Sequence, residues 1–256
     1  GLAPGIAPLP LPPAANPRVS ILLLAWNQLP FTRRCLAALR RAVPAGLAEV
    51  VLVDNGSTDG TDAWARRQPD VRLLRNEENR GFGPANNQAA EQARGEYLLL
   101  LNNDTEPQFG FLERLVAALD ADPGLGAATA RLFAPSGELL EAGATVNLDA
   151  TCTNRGRGAP GGIHSYREPV EVDYASACCL LVRRDAFRAA GGFDPRYAPA
   201  YYEDVDLCVA LRRQGWRLAV VPEAACLHAE SVTARRLTGH ESRRLRLQEE
   251  ARQKFL

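Results

Sequence analysis

The sequence predicts an α/β protein built on a mostly parallel central sheet flanked by helices, and three observations carry that prediction. Strand-like and helix-like segments alternate four times within about 85 residues, the signature of βαβ units. The strand-like segments are near-continuous apolar runs, as expected of strands covered on both faces. Polar clusters at Trp26-Asn27, Asp54–Asp59, Asn79–Gly83 and Asn102–Asp104 fall at or beside the carboxyl ends of those runs. Open α/β sheets bind ligands at that edge.

Val19–Trp26 is the first strand-like run, followed by an amphipathic helix over Pro30–Val43 with Phe31, Cys35, Leu36 and Leu39 on one face. Glu49–Val53 reads as a second strand, and a turn at Thr58–Thr61 leads into a short helix holding Trp64. Val71–Leu74 is a third strand, Pro84–Arg94 a helix closed by Gly95, and Tyr97–Leu101 a fourth strand. The second half is less regular. A helix over Phe109–Asp120 stops before Pro123, and Gly126–Phe133 reads as a strand. Gly, Pro, Thr and Asn through Pro135–Tyr166 predict hairpins, with a mobile loop at Arg155–Gly162. Asp173–Arg183 reads as a strand, Asp185–Ala190 and Glu203–Gln214 as helices, and Arg217–Val221 as a last strand. A charged helix from Ala234 to Lys254 closes the chain.

Composition narrows the function. The chain has 256 residues, 30 basic and 30 acidic side chains, and 46% hydrophobic residues, so it can bury a sizeable core. A net charge of zero is a poor footprint for a nucleic-acid binder, which usually carries a basic excess. No run reaches membrane-spanning length. Methionine is absent, and Gly1–Pro17 is rich in Pro and small residues. Those features predict a linker or tail at 1–17 and a module excised from a longer polypeptide. Cys35, Cys152, Cys178, Cys179, Cys208 and Cys226 lack C-x-x-C spacing and read as free thiols of a reducing cytoplasm, not as a zinc site.

Several clusters bear chemistry. Asp104, at a strand end after Asn102 and Asn103, is placed to hold a hard divalent cation or to cap the next helix. Asp54 and Asp59 bracket a Gly-Ser-Thr turn, where short side chains let a base or ribose approach, although Asp-Asn-Gly-Ser is also ordinary turn chemistry. Gly81-Phe82-Gly83 suggests a dinucleotide fingerprint, but Asn86 occupies the third glycine position and the segment follows the third strand, so that reading fails. Tyr201-Tyr202-Glu203-Asp204-Val205-Asp206 puts three carboxylates at a helix start. They serve either as dipole complements or, for Glu203 and Asp204 after an aromatic stretch, as a general base at a cleft mouth. His228, after an apolar strand, is either a core histidine or the completion of a metal site begun by Asp104.

Together these segments resemble the inverting family 2 glycosyltransferases of GT-A fold, a group that includes rhamnosyl- and galactofuranosyltransferases. The resemblance runs from Arg18 to about Ser231. It rests on Val19–Asn27, on Val53–Thr61, and on Asn79–Gly83 with Ala85 and Asn86. Gly191–Asp194 and Glu203–Leu207 complete it. It implies a domain at 18–232 with a nucleotide-binding half (18–105) and an acceptor-binding half (106–232), followed by a C-terminal helical segment (233–256).

The resemblance also implies roles. Ala25, Trp26, Asn27, Asp54, Ser57, Asp59, Asn79, Gly81, Phe82, Asn86, Asn102 and Asn103 would face the nucleotide-sugar, with Asp54 on the base. Asp104 and His228 would hold Mg2+ or Mn2+. Asp204 would be the catalytic base, with Glu203 as its substitute. One departure stands out: Asn102 replaces the first Asp of the family's Asp-x-Asp motif, leaving one carboxylate for the metal. The implied partners are a UDP- or dTDP-sugar, a saccharide or glycolipid acceptor, further domains of the same polypeptide, and no nucleic acid. The implied location is cytoplasmic, either free or peripheral to the inner face of the membrane. The Arg-rich segment Arg235–Arg252 suits an anionic lipid surface, but its Glu residues and loose Leu spacing favour a solvated or subunit-packing helix. Two other classes compete: a sugar-1-phosphate nucleotidyltransferase, against which Ala25–Gln28 lacks the Gly-rich, Arg-containing loop, and a non-catalytic sugar- or nucleotide-binding module.

Overall fold

The computed structural model describes residues 9–12, 14–159, 166, 168–229 and 241–256. The alternation read from the sequence is present as β1 (Val19–Ala25), α1 (Leu29–Ala42), β2 (Ala48–Asn55), α2 (Thr61–Ala65), β3 (Val71–Asn76), α3 (Phe82–Glu91) and β4 (Tyr97–Asn102). Then come β5 (Thr105–Pro107), α4 (Phe111–Ala121), β6 (Leu125–Phe133), β7 (Leu139–Glu141), β8 (Ala144–Val146) and β9 (Cys152–Asn154). The chain continues with β10 (Val170–Glu171), β11 (Cys179–Arg183), α5 (Arg184–Ala189), α6 (Glu203–Arg213), β12 (Arg217–His228) and α7 (Glu241–Phe255).

Apolar runs become central strands because their side chains feed two cores. Ile21, Leu23, Leu99 and Leu101 belong to the layer containing Cys35, Leu36 and Leu39 of α1 and Leu112 and Leu115 of α4. Leu22, Leu98 and Leu100 point the other way, into the layer containing Ala85 and Ala89 of α3 and Leu207 and Leu211 of α6. Each such buried leucine stabilises the fold by about 1.5–3 kcal/mol.

The sheet order is β10-β12-β6-β11-β4-β1-β2-β3, with β5 on β12 and β7 on β6. Strands β3, β2, β1 and β4 run parallel. The chain moves outward from β1 to β3 and then returns to the opposite side of β1 as β4. That reversal opens a crevice beyond the carboxyl ends of β1 and β4. β11 is inserted antiparallel between β4 and β6, so the two halves share one continuous sheet.

Several expected boundaries change, each for a physical reason. The strand expected over Asp173–Arg183 is regular only from Cys179, because the N–H groups of Ser176 and Ala177 bond to carboxylates instead of a ladder. The last strand runs past Val221 to His228, through a register shift between Val221 and Ala225. Gly95 does not close a helix, since α3 ends at Glu91. It lies against β1, where an added Cβ would sit 2.6 Å from the Ser20 nitrogen. The short β5 had no sequence signal of its own. Parts of the expected tail, of the loop at Arg155–Gly162 and of the segment after Ala229 lie outside the described residues. Among the described residues no helix is long and apolar enough to cross a membrane.

Candidate active site

A cleft of about 620 Å³ opens at the crevice beyond β1 and β4, a size suited to a small ligand. Of the residues singled out in the sequence, Trp26, Asn79, Phe82, Asn102, Asn103, Asp104, Glu203, Asp204 and His228 line it. Ala25, Asn27, Asp54, Ser57, Asp59, Gly81 and Asn86 do not form its wall.

Most of those seven build the loops behind the wall. Asp54 is fully buried; its Oδ1 accepts the Ser57 N–H at 3.0 Å. The Arg75 guanidinium lies 3.1 Å from Oδ2 and balances its charge, although the angle does not make a hydrogen bond. The Ser57 hydroxyl accepts the Asn27 N–H at 2.7 Å, and Asn27 Oδ1 accepts the Thr58 N–H at 2.9 Å. Asp59 accepts from the Leu29 N–H at 2.9 Å and the Thr61 hydroxyl at 2.6 Å. Burial opposes ionisation of Asp59, but those donors outweigh it and lower its pKa. Gly56 permits this packing: its φ is +84°, and an added Cβ would lie 2.7 Å from the Glu78 carbonyl carbon. Asn86 lies within α3, where its Nδ2 donates to the Phe82 carbonyl at 3.0 Å.

Asn55 is one wall residue that sequence reasoning missed. Continuing the two-residue alternation of β2 past Val53 finds it, because Asp54 then turns toward Arg75 and Asn55 to the other face. Its Nδ2 donates to Asn79 Oδ1 at 2.9 Å and to the Gly81 carbonyl at 3.2 Å. Its Oδ1 accepts from Asn76 Nδ2 at 3.0 Å and from the Arg80 N–H at 3.1 Å. One buried amide thereby shapes the Asn79–Gly81 loop.

The opposite wall carries the carboxylates. Tyr201 and Tyr202 have φ values of 82° and 68°, the left-handed region that non-glycine residues rarely adopt. This turn starts α6 directly at Glu203. Asp204 Oδ2 accepts from the Ala177 N–H at 3.2 Å and the Tyr174 hydroxyl at 3.3 Å, and its Oδ1 from the Val205 N–H at 3.0 Å. Burial raises its pKa, and those donors hold the rise in check. Glu203 is buried with no partner for Oε2, so burial first and the Asp204 charge second raise its pKa well above the ordinary value. Of the two, Glu203 is the carboxyl that burial and its neighbour's charge press hardest to stay neutral, and Asp204, with three donors, is the one better supported as a carboxylate.

Between the two walls lies a third corner. Pairing of β12 with β5 sets His228 opposite Thr105 and brings His228 Nε2 to 3.3 Å from Asp104 Oδ1. That Oδ1 is buried and has no hydrogen-bond partner. Cys178 Sγ lies 3.8 Å from the same Nε2 and accepts from Asn102 Nδ2 at 3.2 Å. Burial opposes a charged His228, but Cys178 and Asp104 outweigh it and raise its pKa well above the usual value. Among the described residues no three His, Cys, Asp or Glu side chains are arranged to hold a metal. A buried carboxylate oxygen with no hydrogen bond, facing an imidazole nitrogen 3.3 Å away, nonetheless fits a divalent cation that would displace any imidazole proton and take its remaining ligands from a bound diphosphate.

Other wall residues had weak or no sequence signals. Glu141, a lone acid in an apolar run, is 4% exposed. The helix α7 is not simply solvated, since one side of it packs on the cleft. Arg244, Leu245, Gln248, Glu249 and Arg252 of α7 line the cleft. Arg252 donates to the Asp149 carbonyl and Lys254 to the Arg196 carbonyl, at 2.6 and 2.8 Å. All six cysteines are unpaired.

The fold and its cleft define a glycosyltransferase of GT-A architecture. The fold is similar to the solved structure of GalNAc-T7 with UDP, GalNAc and Mn2+, at a TM-score of 0.69 and 17% identity, covering 84% of this chain and 44% of that one. The family model for glycosyl transferase family 2 matches residues 20–191, and the chain belongs to that family. It is 32% identical over 240 residues to the N-acetylglucosaminyl-diphospho-decaprenol L-rhamnosyltransferase of Mycobacterium tuberculosis, covering 81% of this chain and 75% of the relative. It is 30% identical over 239 residues to the O-antigen biosynthesis protein RfbC of Myxococcus xanthus, covering 88% of this chain and 18% of that protein.

Proposed function

We propose that the chain moves a sugar from a nucleoside-diphosphate-sugar donor to a hydroxyl of a saccharide or glycolipid acceptor, by single displacement with inversion. The observation that carries this reading is the disposition of the cleft. A carboxylate oriented by donors, Asp204, shares it with the unpartnered Asp104 oxygen beside His228. Asp204 removes the acceptor proton as the hydroxyl attacks the anomeric carbon, and its raised pKa strengthens it as a base. Glu203 retains its proton, which leaves it able to donate to a sugar oxygen. Trp26, Asn55, Asn79 and Phe82 bound the donor's nucleoside, on loops held by Asn27, Asp54, Ser57 and Asp59.

Asp104 and His228 are the residues that would hold Mg2+ or Mn2+, which supplies Lewis-acid stabilisation of the charge growing on the leaving diphosphate. Asn102 adds no charge there; its amide is directed to Cys178. Similarity to a diphospho-decaprenol rhamnosyltransferase and to an O-antigen biosynthesis protein supports an envelope saccharide as acceptor, and a carrier-linked one would place the reaction at the cytoplasmic face of a membrane.

The test is a thermal-shift screen with UDP, dTDP and their sugars, with and without Mn2+. A ligand bound to the native state at 100 times its Kd stabilises it by about 2.7 kcal/mol. The reading expects a nucleotide-dependent rise that Mn2+ enlarges, with release of nucleoside diphosphate on turnover. No shift with any nucleotide defeats it.

A further inference from the structure

Glu141 lies buried on the cleft wall, and the proposed reaction gives it no role. Its Oε1 accepts the Ser176 N–H at 2.9 Å. The next N–H along the chain, that of Ala177, goes to Asp204 Oδ2. The segment leaves regular strand geometry here and turns at Ala177–Cys178, so adjacent N–H groups tie Tyr174–Cys178 to two carboxylates. Tyr174 exchanges backbone bonds with Ala144, at 2.8 and 3.2 Å, and Cys179 enters the ladder with β4. Between those anchors Cys208 Sγ reaches the Ala175 carbonyl and the Ser176 hydroxyl accepts the Cys178 N–H, but Glu141 supplies the side-chain acceptor for the Ser176 N–H, next to the N–H that Asp204 takes.

We propose that Glu141 is a positioning residue for the general base, acting through the Tyr174–Cys178 segment that orients Asp204. This rests on the reading of Asp204 as the base. Loss of the Glu141 acceptor frees the segment to roll. Asp204 then loses two of its three orienting donors, while the nucleoside wall at Asn55 and Asn79, held by its own hydrogen bonds, stays in place.

The experiment measures kcat and KM for hydrolysis of whichever nucleotide sugar gives the largest thermal shift, in Glu141→Ala, Glu141→Gln, Tyr174→Phe, Asp204→Asn and the Glu141→Ala/Tyr174→Phe double variant. Glu141→Ala is expected to lower kcat by about 10-fold to 10²-fold with donor KM unchanged, the scale of a misoriented catalytic group. Glu141→Gln keeps an acceptor for Ser176 and should stay within about threefold of the parent. Tyr174→Phe should lower kcat alone but add little in the Glu141→Ala background, since both act on one carboxylate. Additive effects, no rescue by Gln, or a loss confined to KM would each overturn the proposal. Because Glu141→Ala risks misfolding, its melting curve and donor-induced thermal shift are compared with the parent's before the cycle is read; a folded Glu141→Ala that keeps full kcat overturns the proposal, and a Glu141→Gln that loses kcat as Ala does overturns it as well. If Asp204→Asn keeps full turnover, the base assignment itself fails. If Asp204→Asn is inactive and Glu141→Ala is normal, only the positioning role fails.

Discussion

The loop that closes β1 and β2 and the wall that starts α6 treat their polar atoms in opposite ways. Around Asn27, Ser57 and Asp59 the side-chain oxygens are already partnered, and Asp54 is held by Ser57 and Arg75. Across the cleft, Glu203 Oε2 and the Tyr201 hydroxyl are buried without hydrogen-bond partners, Asp104 Oδ1 has only the His228 imidazole at 3.3 Å, and two tyrosines hold left-handed backbone angles. A buried polar atom without a partner costs about 1–3 kcal/mol. The first region therefore holds its own loops together, and the second carries cost that a ligand would relieve.

Substitutions should separate the two. Asp204→Asn, on the reacting side, should cut turnover by about 10²-fold to 10⁴-fold, the scale of general-base catalysis, as measured by release of nucleoside diphosphate. Its melting temperature should hold or rise, because a buried charge is removed. Asp54→Ala, on the scaffold side, should do the reverse. It strands the Ser57 N–H and takes the carboxylate from Arg75, which keeps only the Ser57 carbonyl, at about 2–4 kcal/mol in a urea titration. A scaffold variant that melts like the parent would break the comparison.

Glu141 sharpens it through pH. Burial, with the Asp204 charge adding to it, pushes its carboxyl up to about 7 in the folded protein, against an ordinary 4.5. The native state thus binds the extra proton between those values. The stability this contributes is full below about pH 4.5 and is lost as pH rises through about 7. Glu141→Gln should flatten that fall and be about 2 kcal/mol more stable at pH 8, by chemical denaturation across pH. Equal slopes for parent and variant would remove Glu141 from the strained set. The smallest effect concerns Asp104→Ala. It should weaken Mn2+ binding at least tenfold, about 1.4 kcal/mol, by paramagnetic resonance, while the metal-free melting temperature stays level or rises.

Much of the fold was legible because apolar periodicity is local. The runs Val19–Ala25 and Tyr97–Leu101 and the stripe of α1 announced a parallel sheet, and their ends announced the edge that carries the cleft. Less of the site was legible. Asp104, Asp204 and His228 could be nominated from strand and helix ends, but Asp54 and Asn55 look alike in one turn, and strand phase alone decides which faces the cleft. Glu141 carried no motif. Its meaning comes from Ser176, far along the chain, and from the loss of ladder pairing at residues 175–177.

By itself, then, the sequence determined the class of sheet, the edge where ligands collect and most of the polar groups gathered there, since each depends on neighbours along the chain. The tertiary structure alone decided which groups are satisfied. The pairing of β12 with β5 put His228 against Asp104. The segment before β11 divided its N–H groups between Glu141 and Asp204, and α7 completed the wall of the cleft. Hydrogen-bond satisfaction is a property of groups brought together across the chain, and no local pattern encodes it.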